Sequence, residues 1–213
     1  MVKLIMMFAI TFFAVLFSNT LAHALPGEQA ARQRRGPPNT NIVPIIWEGK
    51  VDDDGPLVNI SGNSLHDIHN KIIKTNSAFT SWHRNNSRPA DISIDAVNLY
   101  NYHINCFQPN CPLVQLYRVT QGEEYLAGIT GMCYLQPGAT YYASNCGRVS
   151  CSWDTAIYFC QQSNTRMQAV PCSVLGTDYA FSIDRRCRLD DLVQGEKFND
   201  DDGFSVWVGA DRC

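Results

Sequence analysis

Ser150-Cys151-Ser152-Trp153-Asp154-Thr155-Ala156-Ile157-Tyr158-Phe159-Cys160-Gln161-Gln162 is the stretch whose reading decides the fold. Read by helical periodicity, it is the clearest helix in the chain: Trp153, Ala156, Ile157 and Cys160 recur on one face. Ser150 or Ser152 supplies an N-cap. Cys160 then points inward, where a disulfide staples the helix. A helix holding both Cys151 and Cys160 separates them by about 13 Å at ~1.5 Å rise per residue. A disulfide needs Cα atoms within roughly 7 Å. Each cysteine is therefore expected to pair with another element.

Upstream, residues 64–79 read as another helix. Ser64 and Asp67 form a capping-box pattern, and Leu65, Ile68, Ile72 and Phe79 share a face. Residues 93–103 are a third helical candidate. Strand signals follow: residues 113–120 are rich in β-formers, residues 124–135 end at the Pro137-Gly138 turn, and residues 139–143 make a short strand. Residues 172–187 fit helix or strand, and residues 204–208 read as a final strand. The expected fold is α+β: a single disulfide-stapled domain with two to four helices and a small, mostly antiparallel sheet. Residues 64–213 form it, preceded by an extended N-terminal arm over 36–63.

The chain has 213 residues, 45% of them hydrophobic, 17% charged, with a formal net charge of −3. This composition excludes a disordered or collagen-like chain. The mildly acidic balance argues against nonspecific nucleic-acid binding. Lys3, the apolar run 4–17 and the small-x-small site ending at Ala24 read as a secretory signal over residues 1–24. The run is shorter than the ~20 residues that span a bilayer, and no longer one follows, so no membrane span is expected. Arg32, Arg34 and Arg35 precede Gly36-Pro37-Pro38, which stays extended. This polybasic segment suits a subtilisin-like processing protease, making residues 25–35 a pro-segment. Removing residues 1–35 takes away four basic residues and one acidic one, so the mature chain is more acidic.

All nine cysteines, Cys106, Cys111, Cys133, Cys146, Cys151, Cys160, Cys172, Cys187 and Cys213, lie from residue 106 onward. A secreted chain pairs most of them. Nine is odd, so at most four bridges form within the chain. The protein is then a monomer, or a dimer linked through the odd cysteine. Connectivity stays open, although Cys106 and Cys111 flank a loop short enough to be closed locally. Asn59 and Asn85 begin N-glycosylation sequons.

No hydrolase motif, P-loop or dinucleotide fingerprint is present. No C-x-x-C pair supports zinc. His66 and His69 lack the glutamate of a zincin helix. The runs Asp52-Asp53-Asp54-Gly55 and Asp200-Asp201-Asp202-Gly203 fail the calcium-loop register. No metal and no cofactor are therefore expected. His83 or His103 with Glu123 or Glu124 could compose a His/Glu ribonuclease, a set most proteins offer by chance. Leu116-Tyr117-Arg118 followed by Gln194-Gly195-Glu196 resembles the Arg and Q-x-E elements of ADP-ribosyltransferase toxins. That resemblance implies that Arg118 holds the NAD phosphates and Glu196 stabilises the oxocarbenium-like centre. The middle Ser-Thr-Ser element of that family is missing.

The stretch 145–160, together with 94–98 and the tail 195–213, resembles small secreted cysteine-rich proteins of filamentous fungi. Such a resemblance, with a signal and a Kex2-type pro-segment, implies an effector or virulence protein, or a host-selective or killer-type toxin. The expected function is non-enzymatic: a secreted, extracellular protein that binds a host protein target, with later uptake into host cells left open. The alternative is an enzymatic toxin acting by ADP-ribosylation or RNA cleavage.

Overall fold

A computed structural model describes residues 36–52, 54–77, 79, 103–135, 144–161 and 169–213. The signal and pro-segment with Ala24, Arg32, Arg34 and Arg35, the sequon at Asn85, His83, and most of the helix expected at 93–103 lie outside them. So does the strand expected at 139–143.

The described fold is dominated by sheet, which corrects the expected α+β domain with one small sheet. Thirteen strands form three sheets, accompanied by three helices. In chain order the strands are β1 (Thr40–Ile42), β2 (Ile45–Lys50), β3 (Leu57–Gly62), β4 (Ile104–Cys106), β5 (Val114–Gln115), β6 (Met132–Leu135), β7 (Ser144–Ser152), β8 (Thr155–Gln161), β9 (Ala169–Pro171), β10 (Arg188–Leu189), β11 (Leu192–Val193), β12 (Gly195–Asn199) and β13 (Phe204–Ala210). The helices are α1 (Leu65–Thr75), α2 (Leu116–Ala127) and α3 over residues 172–186. Helix α3 is continuous, with a π-helical stretch at Leu175–Ala180.

The decisive stretch is a β-hairpin. Strands β7 and β8 pair antiparallel, with Ser152 opposite Thr155 and only Trp153 and Asp154 between them. The physical reason lies in the run from Thr155 to Gln161, every residue of which is buried. A continuous apolar run fits a strand covered on both faces, and it also satisfies helical spacing by coincidence. Length and β-branched or aromatic content favour the strand.

Strand β8 sits inside the six-stranded sheet, whose order is β1-β7-β8-β13-β12-β4. All its neighbours pair antiparallel except β1, which runs parallel to β7. One face carries Val149, Ile157, Phe159, Val206 and Val208 into the main core with Ile45, Trp47, Leu126 and Leu135. The opposite face carries Tyr158, Trp207 and the Cys146–Cys160 pair in a second cluster. Residues 36–63, expected as an arm, supply β1, β2 and β3. Strand β2 buries Ile45 and Trp47 completely and lies inside the four-stranded sheet β3-β2-β6-β9.

Residues 116–127 form α2 rather than continuing the expected strand at 113–120, of which only β5 is strand. Leu116, Val119, Gly122, Glu123 and Leu126 fall on its buried face, a helical period that β-rich composition conceals. Gly122 allows this helix close to the hairpin: a Cβ there would stand 2.9 Å from Ile157 and 3.0 Å from Ser150 Oγ. Gly176 does the same for α3, where a Cβ would meet the Glu123 carbonyl and the Leu126 Cβ, both at 2.7 Å. Helix α1 follows its cap: Ser64 Oγ accepts from the Asp67 amide at 3.1 Å, and Leu65, Ile68 and Ile72 are buried. Asp67 reaches back to accept from the Asn63 amide at 3.0 Å, one residue before the cap.

Four disulfides close the structure: Cys106–Cys187, Cys133–Cys172, Cys146–Cys160 and Cys151–Cys213. They tie β4 and β6 to the two ends of α3, β7 to β8, and the hairpin end to the C-terminal residue. Cys151 and Cys160 thus have separate partners, although the reason is strand register: Cys160 stands opposite Cys146 and Cys151 opposite Ala156. No local Cys106–Cys111 loop forms. Cys111 is the cysteine outside the four bridges and packs against the second cluster.

Candidate functional site

Arg118 and Glu196, the pair matching the transferase elements, sit in separate surroundings. Arg118 lies in the first turn of α2 rather than on a strand. Its Nε donates to Tyr117 Oη at 2.9 Å and its Nη1 to the Trp153 carbonyl. Glu196 lies on β12, opposite Trp207 and Asn105. Its carboxylate accepts from Ser205 Oγ at 2.6 Å and Gln108 Nε2 at 2.8 Å. Gln108 also accepts from Trp207 Nε1 at 3.1 Å, and its amide donates to Gln194 Oε1 at 2.7 Å. Gln194 and Glu196 are therefore partners of one loop glutamine, and no contact of theirs reaches Arg118.

Burial pushes the Glu196 carboxyl above its ordinary pKa, partly opposed by the bonds from Ser205 and Gln108. A folded-state pKa above the unfolded one favours folding of the protonated form. Its stabilising effect is complete below the unfolded value near 4.5 and is lost as pH rises through the folded value. Glu196→Gln should flatten this part of the pH–stability profile. Thermal melts of both proteins from pH 4 upward check it; parallel profiles would contradict it.

A second polar group joins α3 to β12. Lys197, only 2% exposed, places Nζ 2.7 Å from Asp178 Oδ1 and donates to Ser182 Oγ at 3.0 Å. The ammonium also lies 4.6 Å from the centre of the Tyr179 ring. Ser182 and Lys197 have the atoms of a serine–lysine dyad. A dyad lysine must act as a base, whereas the Lys197 ammonium is ion-paired to Asp178 at 2.7 Å. Ser182 Oγ donates to the Asp178 carbonyl at 2.6 Å, back along its own helix. The group is a tie between elements.

The other candidates are dispersed. His103 Nδ1 lies 2.9 Å from Asp200 Oδ2, and its ring stacks on Phe198. Asp202 takes part in the β12–β13 turn, accepting from Asn199 Nδ2 at 2.9 Å. Asp52 accepts from Asn76 Nδ2 at 2.6 Å. Glu123 is buried in the α2 interface while Glu124 is exposed. His66 is exposed, and the His69 ring contacts Phe79 edge-on. Asn59 is exposed on the edge strand β3. Among the described residues, no three His, Cys, Asp or Glu side chains gather where they could hold a metal ion.

What the fold does gather is an aromatic rim. Trp153, at the hairpin tip, is 73% exposed, and Tyr117, at the start of α2, is 56% exposed. Arg118 bonds to both residues and lies 5.5 Å from the Tyr117 ring centre. Trp153 and Asp154 have φ of 50° and 62°, both left-handed. A two-residue hairpin loop of this kind favours Asn-Gly because glycine, asparagine and aspartate enter the left-handed region more readily than other residues. Beside Tyr117 opens a cavity of about 600 Å³, bordered by Gln115, Gln121, Glu124, Arg188 and Asp191. The Leu116 amide donates to the Asp191 carbonyl at 2.8 Å, fixing the β10–β11 turn against the start of α2.

Helical reading hid Trp153, because it placed that side chain on the buried face. The available signal was Ser-Trp-Asp-Thr before a β-rich run, where a two-residue turn forces the tryptophan outward. No family model, curated protein or solved structure matches this chain.

Proposed function

We propose that the mature chain is a secreted, non-enzymatic binding protein of the fungal effector kind, acting on a host by engaging a molecule there. Four disulfides support an extracellular setting, and no described helix is long and apolar enough to cross a membrane. The observation that carries the binding reading is the exposed Tyr117–Trp153 rim on anchored elements. Aromatic side chains combine large contact area with few rotatable bonds, and they dominate binding hot spots.

Arg118 is shared by the rim and by the transferase reading, so it does not discriminate. Glu196 does: the transferase requires its carboxylate and the rim does not. On candidate host tissue, purified Glu196→Gln should act as strongly as the parent, while Tyr117→Ala should lose at least about tenfold in potency. Loss of action in a correctly folded Glu196→Gln protein would overturn the binding reading in favour of catalysis.

A further inference from the structure

We propose that the Tyr117–Trp153 rim and its adjoining cavity bind a neutral oligosaccharide. This rests on the binding reading and names the ligand class.

The first support is the choice of residue at the hairpin tip. Trp153 holds φ of 50° while 73% exposed. A bulky side chain is an outlier in that region, and burial contributes little to offset its strain. Asparagine or glycine would suit the turn better. The tryptophan therefore serves something other than folding, and strain of this kind concentrates at functional sites.

The second support is preorganisation. Beside the tip that carries Trp153, the Cys151–Cys213 bridge ties β7 to the C-terminal residue. Tyr117 stands on α2, and Arg118 joins the two by bonds to the Tyr117 hydroxyl and the Trp153 carbonyl. The Tyr117 ring and the backbone under Trp153 are thus anchored, which lowers the ordering cost of binding.

The third support is the chemistry of the cavity. Gln115, Gln121, Glu124, Arg188 and Asp191 border it. The lining carries one guanidinium group, Arg188, and two carboxylates, Glu124 and Asp191, while Arg118 stands at the rim with Nε and Nη1 bonded to Tyr117 and Trp153. A phosphate or sulfate would meet Glu124 and Asp191 unfavourably, and a polycation would meet Arg118 and Arg188. A hydrocarbon chain would strip water from these groups, with only Leu116 and the Tyr117 ring as apolar partners. A sugar has what remains: a ring face of C–H groups to lie on an aromatic side chain, and hydroxyls that both donate and accept. Carboxylates only accept, guanidinium groups only donate and amides do both, so the set serves every hydroxyl role. A volume of about 600 Å³ is within the range of small-ligand sites.

The test is isothermal titration calorimetry of the mature secreted protein, which reads binding with or without Trp153. The probes are hexasaccharides of cellulose, chitin, β-1,3-glucan, xylan and mannan, with heparin and polygalacturonate as anionic controls. A high-mannose glycoprotein, before and after enzymatic deglycosylation, separates a free polysaccharide source from a protein-borne glycan. At least one neutral glycan should bind in preference to both anionic controls. Trp153→Asn should weaken that binding at least about tenfold while melting no lower than the parent, and Tyr117→Ala should weaken it comparably. Failure of every neutral glycan, or unchanged binding by folded Trp153→Asn, overturns the proposal. If glycans fail while Tyr117→Ala still abolishes host activity, the ligand class alone is overturned and the binding reading stands.

Discussion

Asp178→Ala should be among the most damaging single substitutions in the described chain, lowering stability by about 3–5 kcal/mol. Lys197 is 2% exposed, and the Asp178 carboxylate is its charged partner at 2.7 Å. Removing the carboxylate takes from the buried ammonium its charged partner at 2.7 Å, while the contacts to Ser182 Oγ and the Tyr179 ring are neutral. The cost is chiefly that of the stranded charge rather than the net value of the pair. Lys197→Met combined with Asp178→Leu should therefore recover most of the loss, since apolar replacements of similar volume are often neutral. Denaturant unfolding of the two proteins tests this. Equal losses in both would mean that the pair stabilises through its attraction, contrary to this account.

The Cys106–Cys187 bridge should carry the largest effect among the disulfides. It spans 81 residues in sequence, more than any of the other three. In the chain-entropy view, longer loops gain more, here roughly 4 kcal/mol. The bridge fastens the end of α3 to β4, an edge strand of the six-stranded sheet. Cys106→Ser with Cys187→Ser should lower the melting temperature by about 10 °C, and more than replacement of the 14-residue Cys146–Cys160 bridge. The latter joins residues already opposite each other in a ladder, so its removal leaves register to the backbone. Calorimetry of both double variants checks the order. A larger loss for the short bridge would show that strand pairing, rather than loop closure, governs the disulfide contribution.

Where a sequence signal came from local chemistry, it matched the fold. The Ser64 cap and the apolar face of α1 are of this kind, as is the run opening with Phe204, which becomes β13 after an acidic turn. Where the signal depended on tertiary burial, it misled. The run 155–161 is buried throughout, and apolar from Ala156 to Cys160, because β8 is covered on both faces, and such a run carries no period of its own. The start of α2 misled in the opposite sense: Tyr117, Val119 and Thr120 are β-formers by composition, yet the element is decided by burial of Leu116, Val119, Glu123 and Leu126. The rim was half legible. Tyr117 and Arg118 stood out as a motif, but a strand was needed to make it a transferase element, and the chain is helical there. Trp153 became visible only once the hairpin was known. The Asp178–Lys197 tie joins residues 19 apart that no local pattern relates.

Trp153 serves binding at the expense of the turn that holds it. The direct measurement is the melting temperature and host-tissue activity of Trp153→Asn, taken on the same preparation. Asparagine accepts the left-handed backbone more readily than tryptophan and retains the carbonyl that receives Arg118. An unchanged or raised melting temperature together with loss of activity is the expected result. Full activity in the folded variant, or a clear fall in melting temperature, would contradict it.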